Sequence, residues 1–203
     1  MDAPLEIELK TRVDSHEPVR AALIAAGAIR IGAVLETNHF FDTPEQTMRQ
    51  RGAGLRVREA IPIEPARGPG GASSPPIQAP SLATMTFKGA QQAGLFKARG
   101  EIEFVVDRAE AAINLLAAVG FVETLRFQKR RESWTLRDCE VELDELPQLG
   151  RFVEIEGPSD DAIRAIALQL GLDPAHSIRE SYAALLAATR PPDSPRPFVI
   201  AFD

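Results

Sequence analysis

Residues 5–10 read LEIELK, an unbroken alternation of apolar and charged side chains. Side chains alternate across a β-strand, so Glu6, Glu8 and Lys10 share one face while Leu5, Ile7 and Leu9 share the other. The pattern returns six times. Arg56 and Arg58 oppose Leu55 and Val57, and Lys88 shares a face with Thr84 and Thr86 opposite Met85 and Phe87. Arg99, Glu101 and Glu103 oppose Ile102, Phe104 and Val106. Lys129 and Arg131 lie opposite the face marked by Trp134 and Leu136. Glu140, Glu142 and Asp144 oppose Val141 and Leu143, and Glu154 and Glu156 oppose Val153 and Ile155. A single such strand is explained by an antiparallel sheet with one solvated face. Seven are not, because a solvated face mixes Thr, Ser, Gln and Lys, whereas here nearly every polar position is ionised and the signs are sorted by strand. Acids dominate the first and last two of these strands, and bases dominate the middle ones.

Strand patterns cover about residues 4–13, 36–42, 54–60, 82–89, 99–107, 124–137, 139–145 and 151–157. Helical patterns cover 17–27, 108–119, 159–170 and 177–189, the second with a capping box from Asp107 to Glu110. Helices need apolar surface to rest on, and the apolar strand faces provide it. The expected fold is therefore α+β: an eight-stranded antiparallel barrel, closed, with charges inside and helices packed outside. One domain over residues 1–190 is expected. It is interrupted by a Pro/Gly-rich loop at 62–81 and followed by a Pro-rich tail at 191–203, whose apolar Phe198–Phe202 stretch is suited to dock on the body.

A barrel of about eight strands holds one small ligand. Lining it with both signs of charge costs too much desolvation unless the charges are paired, hydrated or neutralised by a ligand. Arg and Lys are phosphate ligands. Clustered carboxylates suit Mg²⁺ or Mn²⁺, hard ions that bridge to phosphate oxygens. A polyphosphate with a divalent metal satisfies both halves of the lining. The remaining composition excludes other classes. The net charge of −6 disfavours nucleic acid and anionic membranes. No apolar run approaches the roughly 18 residues that cross a bilayer. The lone Cys139 rules out thiolate zinc sites and fits a cytoplasmic setting. His39, His16 and His176 are too dispersed for a local metal motif, and His39, alone on a strand, reads as structural.

The ordered series EIELK, FFDTP, GLRVRE, TFKG, RGEIEF, KRRESW, LDELPQLGRFVEIEG and SYAALL, spanning about residues 4–188, resembles the CYTH or triphosphate tunnel metalloenzyme family, with its ExExK signature. The resemblance implies an eight-stranded tunnel in which Glu6, Glu8, Glu154 and Glu156, aided by Asp144, bind the divalent metal. It implies that Lys10, Arg56, Arg58, Lys88, Arg99, Lys129 and Arg131 grip a triphosphate, and that Glu6, Glu8, Lys10 and Glu156 form the catalytic core. Glu101 and Glu103 match an acidic pair that orients bases or holds a second metal. Glu140 and Glu142 read as charge balance for Arg131 and its neighbours or as an extension of the metal site, and Ser181 and Tyr182 as packing or a plug. Three functions fit: a metal-dependent triphosphatase acting on tripolyphosphate, thiamine triphosphate or a nucleoside triphosphate; a class IV adenylate cyclase making cyclic AMP and pyrophosphate from ATP; and a non-catalytic polyphosphate receptor. The scarcity of Trp and Tyr for holding a base favours the first, and the full acidic set favours an enzyme over a receptor. A homodimer is left open.

Overall fold

The computed structural model describes residues 5–64, 82–91 and 96–203, without the side chains of Leu5, Glu6, Glu64, Leu82 and Lys97. The loop expectation beyond residue 64 and the side-chain role of Glu6 therefore lie outside the described residues. Among the described residues nine strands form: β1 (Leu5–Val13), β2 (Ile29–Asp42), β3 (Gly54–Glu64), β4 (Leu82–Lys88), β5 (Lys97–Val106), β6 (Val122–Leu136), β7 (Cys139–Leu146), β8 (Gly150–Gly157) and β9 (Phe198–Ile200). The order β2-β3-β4-β5-β1-β8-β7-β6 closes through a β2–β6 pairing, and every pair in this ring is antiparallel. The eight-stranded closed barrel is thus present, with β9 added in parallel to β6. The strand expected at 54–60 runs on to Glu64, so Pro62–Glu64 belongs to β3 and not to a loop.

The described residues also form helices α1 (Glu17–Ala25), α2 (Thr47–Gln50), α3 (Ala109–Ala118), α4 (Asp160–Gln169) and α5 (Tyr182–Ala188), with a 3-10 turn at Pro174–His176. On the outer barrel face, Leu9, Val141, Leu143, Val153 and Ile155 pack with Val19 and Leu23 of α1 and Ile163 and Ile166 of α4. Each such buried aliphatic side chain contributes about 1.5–3 kcal/mol. The α4 contact is close: a Cβ on Gly157 would stand 3.0 Å from Ile163 Cγ1 of α4, and 2.7 Å from Cys139 Sγ of β7. A second cluster joins Phe41, Leu55, Val57 and Ala83 to Ala109, Ala112 and Leu116 of α3.

Three details depart from expectation. The helix at 109–118 starts from Arg108 with no side-chain cap, so the Asp107–Glu110 capping box does not form; by contrast Ser159 accepts from Ala162 N at 3.2 Å at the head of α4. Residues 177–181 are not helical and lead into α5. Ile102 and Phe104 are outward-facing as expected, yet they stay 56% and 52% exposed because α3 reaches only the far part of β4 and β5.

Candidate functional site

The polar residues of the alternating strands converge on one cavity of about 870 Å³ through the barrel. It is lined by Glu8, Lys10, Arg56, Arg58, Lys88, Arg99, Glu101, Glu103, Lys129, Arg131, Glu142, Glu154 and Glu156, among others. Every described side chain expected at the site lies there except Asp144, which faces the barrel interior at 0% exposure beneath the cavity lining and binds Lys129 and Arg131. Strand register sorts these residues into rows. Glu140, Glu156 and Glu8 stand directly opposite one another on β7, β8 and β1, and Glu142, Glu154 and Lys10 form the next row.

Arg131 is the hub of the second row and the layer behind it. Its guanidinium forks onto Asp144 through Nε at 2.8 Å and Nη2 at 2.7 Å, donates to Glu154, and lies 3.6 Å from Glu142. Burial works against this cation, but Asp144 and Glu142 outweigh it and hold its pKa well above the ordinary arginine value. Lys10, 1% exposed, bonds Glu154 at 3.1 Å, Glu8 at 3.3 Å and the Glu180 carbonyl at 3.0 Å. Burial pulls its pKa down, and the Glu154 and Glu8 charges more than reverse that. Lys129 bonds Asp144 at 3.2 Å and Glu36 at 3.3 Å.

On the basic side, Arg56 donates to Thr86 Oγ1 at 3.1 Å, and that hydroxyl donates to Glu103 at 2.6 Å. Burial and the neighbouring Arg58 push Arg56 down to about 10. Lys88 pairs with Glu101 at 2.6 Å. Glu101 and Glu103 thus face cations on β4 and β3. Glu142, as expected, faces Arg131, and it also accepts from Ser133 at 2.7 Å; burial nonetheless pushes its carboxyl up.

Sequence reading passed over Glu36. It is 2% exposed and lies 3.4 Å from Arg58 and 3.3 Å from Lys129, so it ties the basic strand β3 to β6. Burial opposes its ionisation, yet Lys129, Arg58 and Arg131 hold its carboxyl well below the usual range. The inner face of β2 runs Val34, Glu36, Asn38, Phe40, a mixture that carries no ionic alternation. The one available signal was parity within ETNHF. In the FFDTP stretch, Asp42 is structural: it accepts from Met48 N at 2.9 Å and Arg49 N at 3.1 Å at the start of α2. His39 points away from the cavity and bonds Glu123 at 2.8 Å, in keeping with its structural reading.

Tyr182 opens α5, capped by Ser181, which accepts from Ala184 N at 3.2 Å. Its ring sits 4.3 Å from Lys10 Nζ and 5.3 Å from Lys129 Nζ and packs edge-on against Phe152 at 5.2 Å. With Leu186, Leu125, Phe127 and Ile200 it fills that end of the barrel, which makes α5 a plug. Burial beside Asp144 and Glu154 drives the phenol pKa well above its ordinary value, so the ring acts as a neutral face for the two lysines.

Like charges directly opposite on neighbouring strands repel, and the Glu140–Glu156–Glu8 row places three carboxylates in that relation. An all-oxygen, anionic donor set of this kind fits a hard divalent cation. Among the described residues no three carboxylates converge on one point, since Glu8 and Glu154 are turned toward Lys10. Binding a cation there requires those carboxylates to exchange a lysine partner for the ion.

The chain is similar to known proteins over most of its length. Adenylate cyclase CyaB of Aeromonas hydrophila is 25% identical over 190 residues, covering 89% of this chain and 87% of that protein. The PH1819 protein of Pyrococcus horikoshii superposes with a TM-score of 0.71 at 23% identity, over 91% of this chain and 99% of the other. HpAC1 of Hippeastrum, described as having a dominant triphosphatase activity, superposes with a TM-score of 0.64 at 16% identity, over 95% and 98%. The CYTH domain model matches residues 4–182, and with the closed barrel and its charged interior the chain belongs to the CYTH domain family.

Proposed function

We propose that this chain is a divalent-metal-dependent phosphohydrolase that binds a triphosphate along the barrel axis. One observation carries the reading: opposed carboxylate rows on β1, β7 and β8 and cations on β3, β4 and β6 line a single cavity. Neither set is neutralised by solvent, so each is held by the other until a ligand carrying both signs arrives. The triphosphate takes Arg56, Arg58, Lys88, Lys129 and Arg131 from their carboxylate partners and meets Arg99 on β5. Lys10 moves between Glu154 and a phosphate oxygen. Glu8, Glu154 and Glu156, with Glu6 on the same strand and Asp144 behind, are the residues that would hold Mg²⁺ or Mn²⁺. Bound there, the ion polarises a phosphoryl oxygen and offsets charge developing on it. A glutamate freed from its cation then orients water toward the terminal phosphorus.

The name of the Aeromonas relative favours a second reading, cyclisation of ATP by attack of the 3′-hydroxyl on the α-phosphorus. The grip is the same, and the nucleophile differs. Purified protein incubated with Mg²⁺ or Mn²⁺ and, separately, tripolyphosphate, thiamine triphosphate and ATP decides between them. Orthophosphate release supports hydrolysis. Cyclic AMP with stoichiometric pyrophosphate supports the cyclase, and tight metal-independent binding without turnover points to a receptor.

A further inference from the structure

The residues matched by the family end at Tyr182, but the cavity wall does not. Beyond α5 the chain folds back, and Arg190, Arg196 and Phe198 line the same cavity near Phe40 and Ala184. The fold makes room for this return. β6 pairs with β7 only over Arg130–Leu136, which leaves the Leu125–Phe127 edge for β9.

Three fastenings hold the returning segment. Ile200 is 2% exposed in the core beneath α5. Arg190 Nη2 donates to the carbonyls of Ser194 at 2.6 Å and Pro195 at 3.1 Å, with its guanidinium 5.9 Å from the Phe198 ring. Phe202 N donates to Gln128 Oε1 at 3.1 Å, and Arg130 lies 4.0 Å over the Phe202 ring. A segment fastened at both ends and in the core presents Phe198 in a fixed place.

Chemistry changes along the cavity at this wall. Inorganic polyphosphate offers only charged oxygens, and the Arg and Lys set described above already meets them. The surface added here is of another kind: partly buried rings of Phe40 and Phe198, the stack of Phe40 on Phe127 at 5.6 Å, and the small Ala184, Ala187 and Ala188 side chains of α5. Arg196 stands exposed at its rim. Apolar and aromatic walls beside a phosphate grip suit a planar aromatic group attached to the phosphates, which stacks without needing a specific edge pattern.

We propose that the tail from Arg190 to Ile200 is a specificity element. It forms the wall that receives the organic group of the substrate and makes the cavity prefer a triphosphate bearing a planar aromatic base over bare tripolyphosphate. This rests on the reading of the cavity as a triphosphate site.

The test compares wild type with Phe198→Ala and Phe198→Leu in the full chain, with Mn²⁺ present. Calorimetry measures Kd for ATP, thiamine triphosphate and tripolyphosphate, and thermal melting confirms folding. Phe198→Ala is expected to weaken the two organic triphosphates about 10-fold, in the range of a lost stacking surface. Tripolyphosphate is expected to stay within about twofold, and Phe198→Leu to give an intermediate loss by the same reasoning. Equal weakening of all three ligands, or of none, overturns the proposal. Wild type that binds tripolyphosphate but neither organic ligand also overturns it while leaving the triphosphate site standing. Wild type that binds none of the three overturns the underlying reading, and the tail proposal with it.

Discussion

Arg131 and Glu132 are adjacent on β6 and point to opposite sides of one wall. Both sit in ion-pair networks. Glu132 faces outward and accepts from Arg20 Nη2 and Arg30 Nε, each at 2.9 Å, and from Trp134 Nε1 at 3.1 Å, which pins α1 and β2 to the sheet. Arg131 faces inward and meets carboxylates from β7, β8 and β2 at once. The outer carboxylate is satisfied by its neighbours, and nothing more is needed from solution. The inner cation sits among carboxylates that also serve Lys10 and Lys129, so partners can be exchanged without leaving any charge bare. The outer contact fastens a helix to the wall, whereas the inner one shares its carboxylates among Arg131, Lys10 and Lys129.

Breaking the inner network should have the largest effect. Arg131→Met takes the forked guanidinium from the fully buried Asp144, which keeps Lys129 at 3.2 Å, and the stability lost is expected to be about 3 kcal/mol, the low end of the cost of breaking a buried ion pair. Urea denaturation measures it, and a loss below about 1 kcal/mol would count against the hub role. Glu8→Ala removes one member of the carboxylate row while Glu154 still pairs with Lys10. Metal-dependent turnover is expected to fall about 100-fold or more, with the circular dichroism spectrum unchanged. Activity at the wild-type level would exclude Glu8 from metal binding. Lys88→Ala removes a cation at the edge of the grip, with an expected rise in KM of about 10-fold, worth about 1.4 kcal/mol, and little change in kcat. An unaltered KM would place Lys88 outside the phosphate path.

The outer network should respond most mildly. Glu132→Gln is expected to cost about 1 kcal/mol of stability and leave kcat/KM as it is. Partial burial raises the Glu132 pKa, but the Arg20 and Arg30 hydrogen bonds outweigh that and hold it below the ordinary carboxylate value of 4.5. The stabilisation is therefore present above about 4.5 and disappears as pH falls through the lowered native value. The stability gap between wild type and Glu132→Gln should accordingly be full at neutral pH and close in acid, as read from denaturation midpoints against pH. A gap independent of pH would mean that packing, not charge, is what Glu132 supplies.

Legibility in the sequence followed the same division between faces. Where a strand is ionic on one side throughout, as in β1, β7 and β8, parity alone assigned Glu8, Lys10, Asp144 and Glu154 to the interior, and the barrel places them there. Where the inner face is mixed, parity was silent: on β2 Glu36 and Asn38 share that face with Val34 and Phe40. The outer face was read as uniformly covered by helices. That fails at Ile102 and Phe104, because coverage depends on where a helix happens to lie over the sheet.

The sequence by itself determined which side chains share a face, because the two-residue period of a strand is local and needs no partner. It determined also that those faces carry charges of both signs, the pattern on which the expectation of a polyphosphate with a metal rested. Only the tertiary structure decided which charges meet. Whether Arg131 finds Asp144 or Glu36 finds Lys129 depends on the register between strands distant in sequence. The tertiary structure alone likewise brought Phe198 and Arg196 to the cavity, because a free edge on β6 exists only after β7 has turned away.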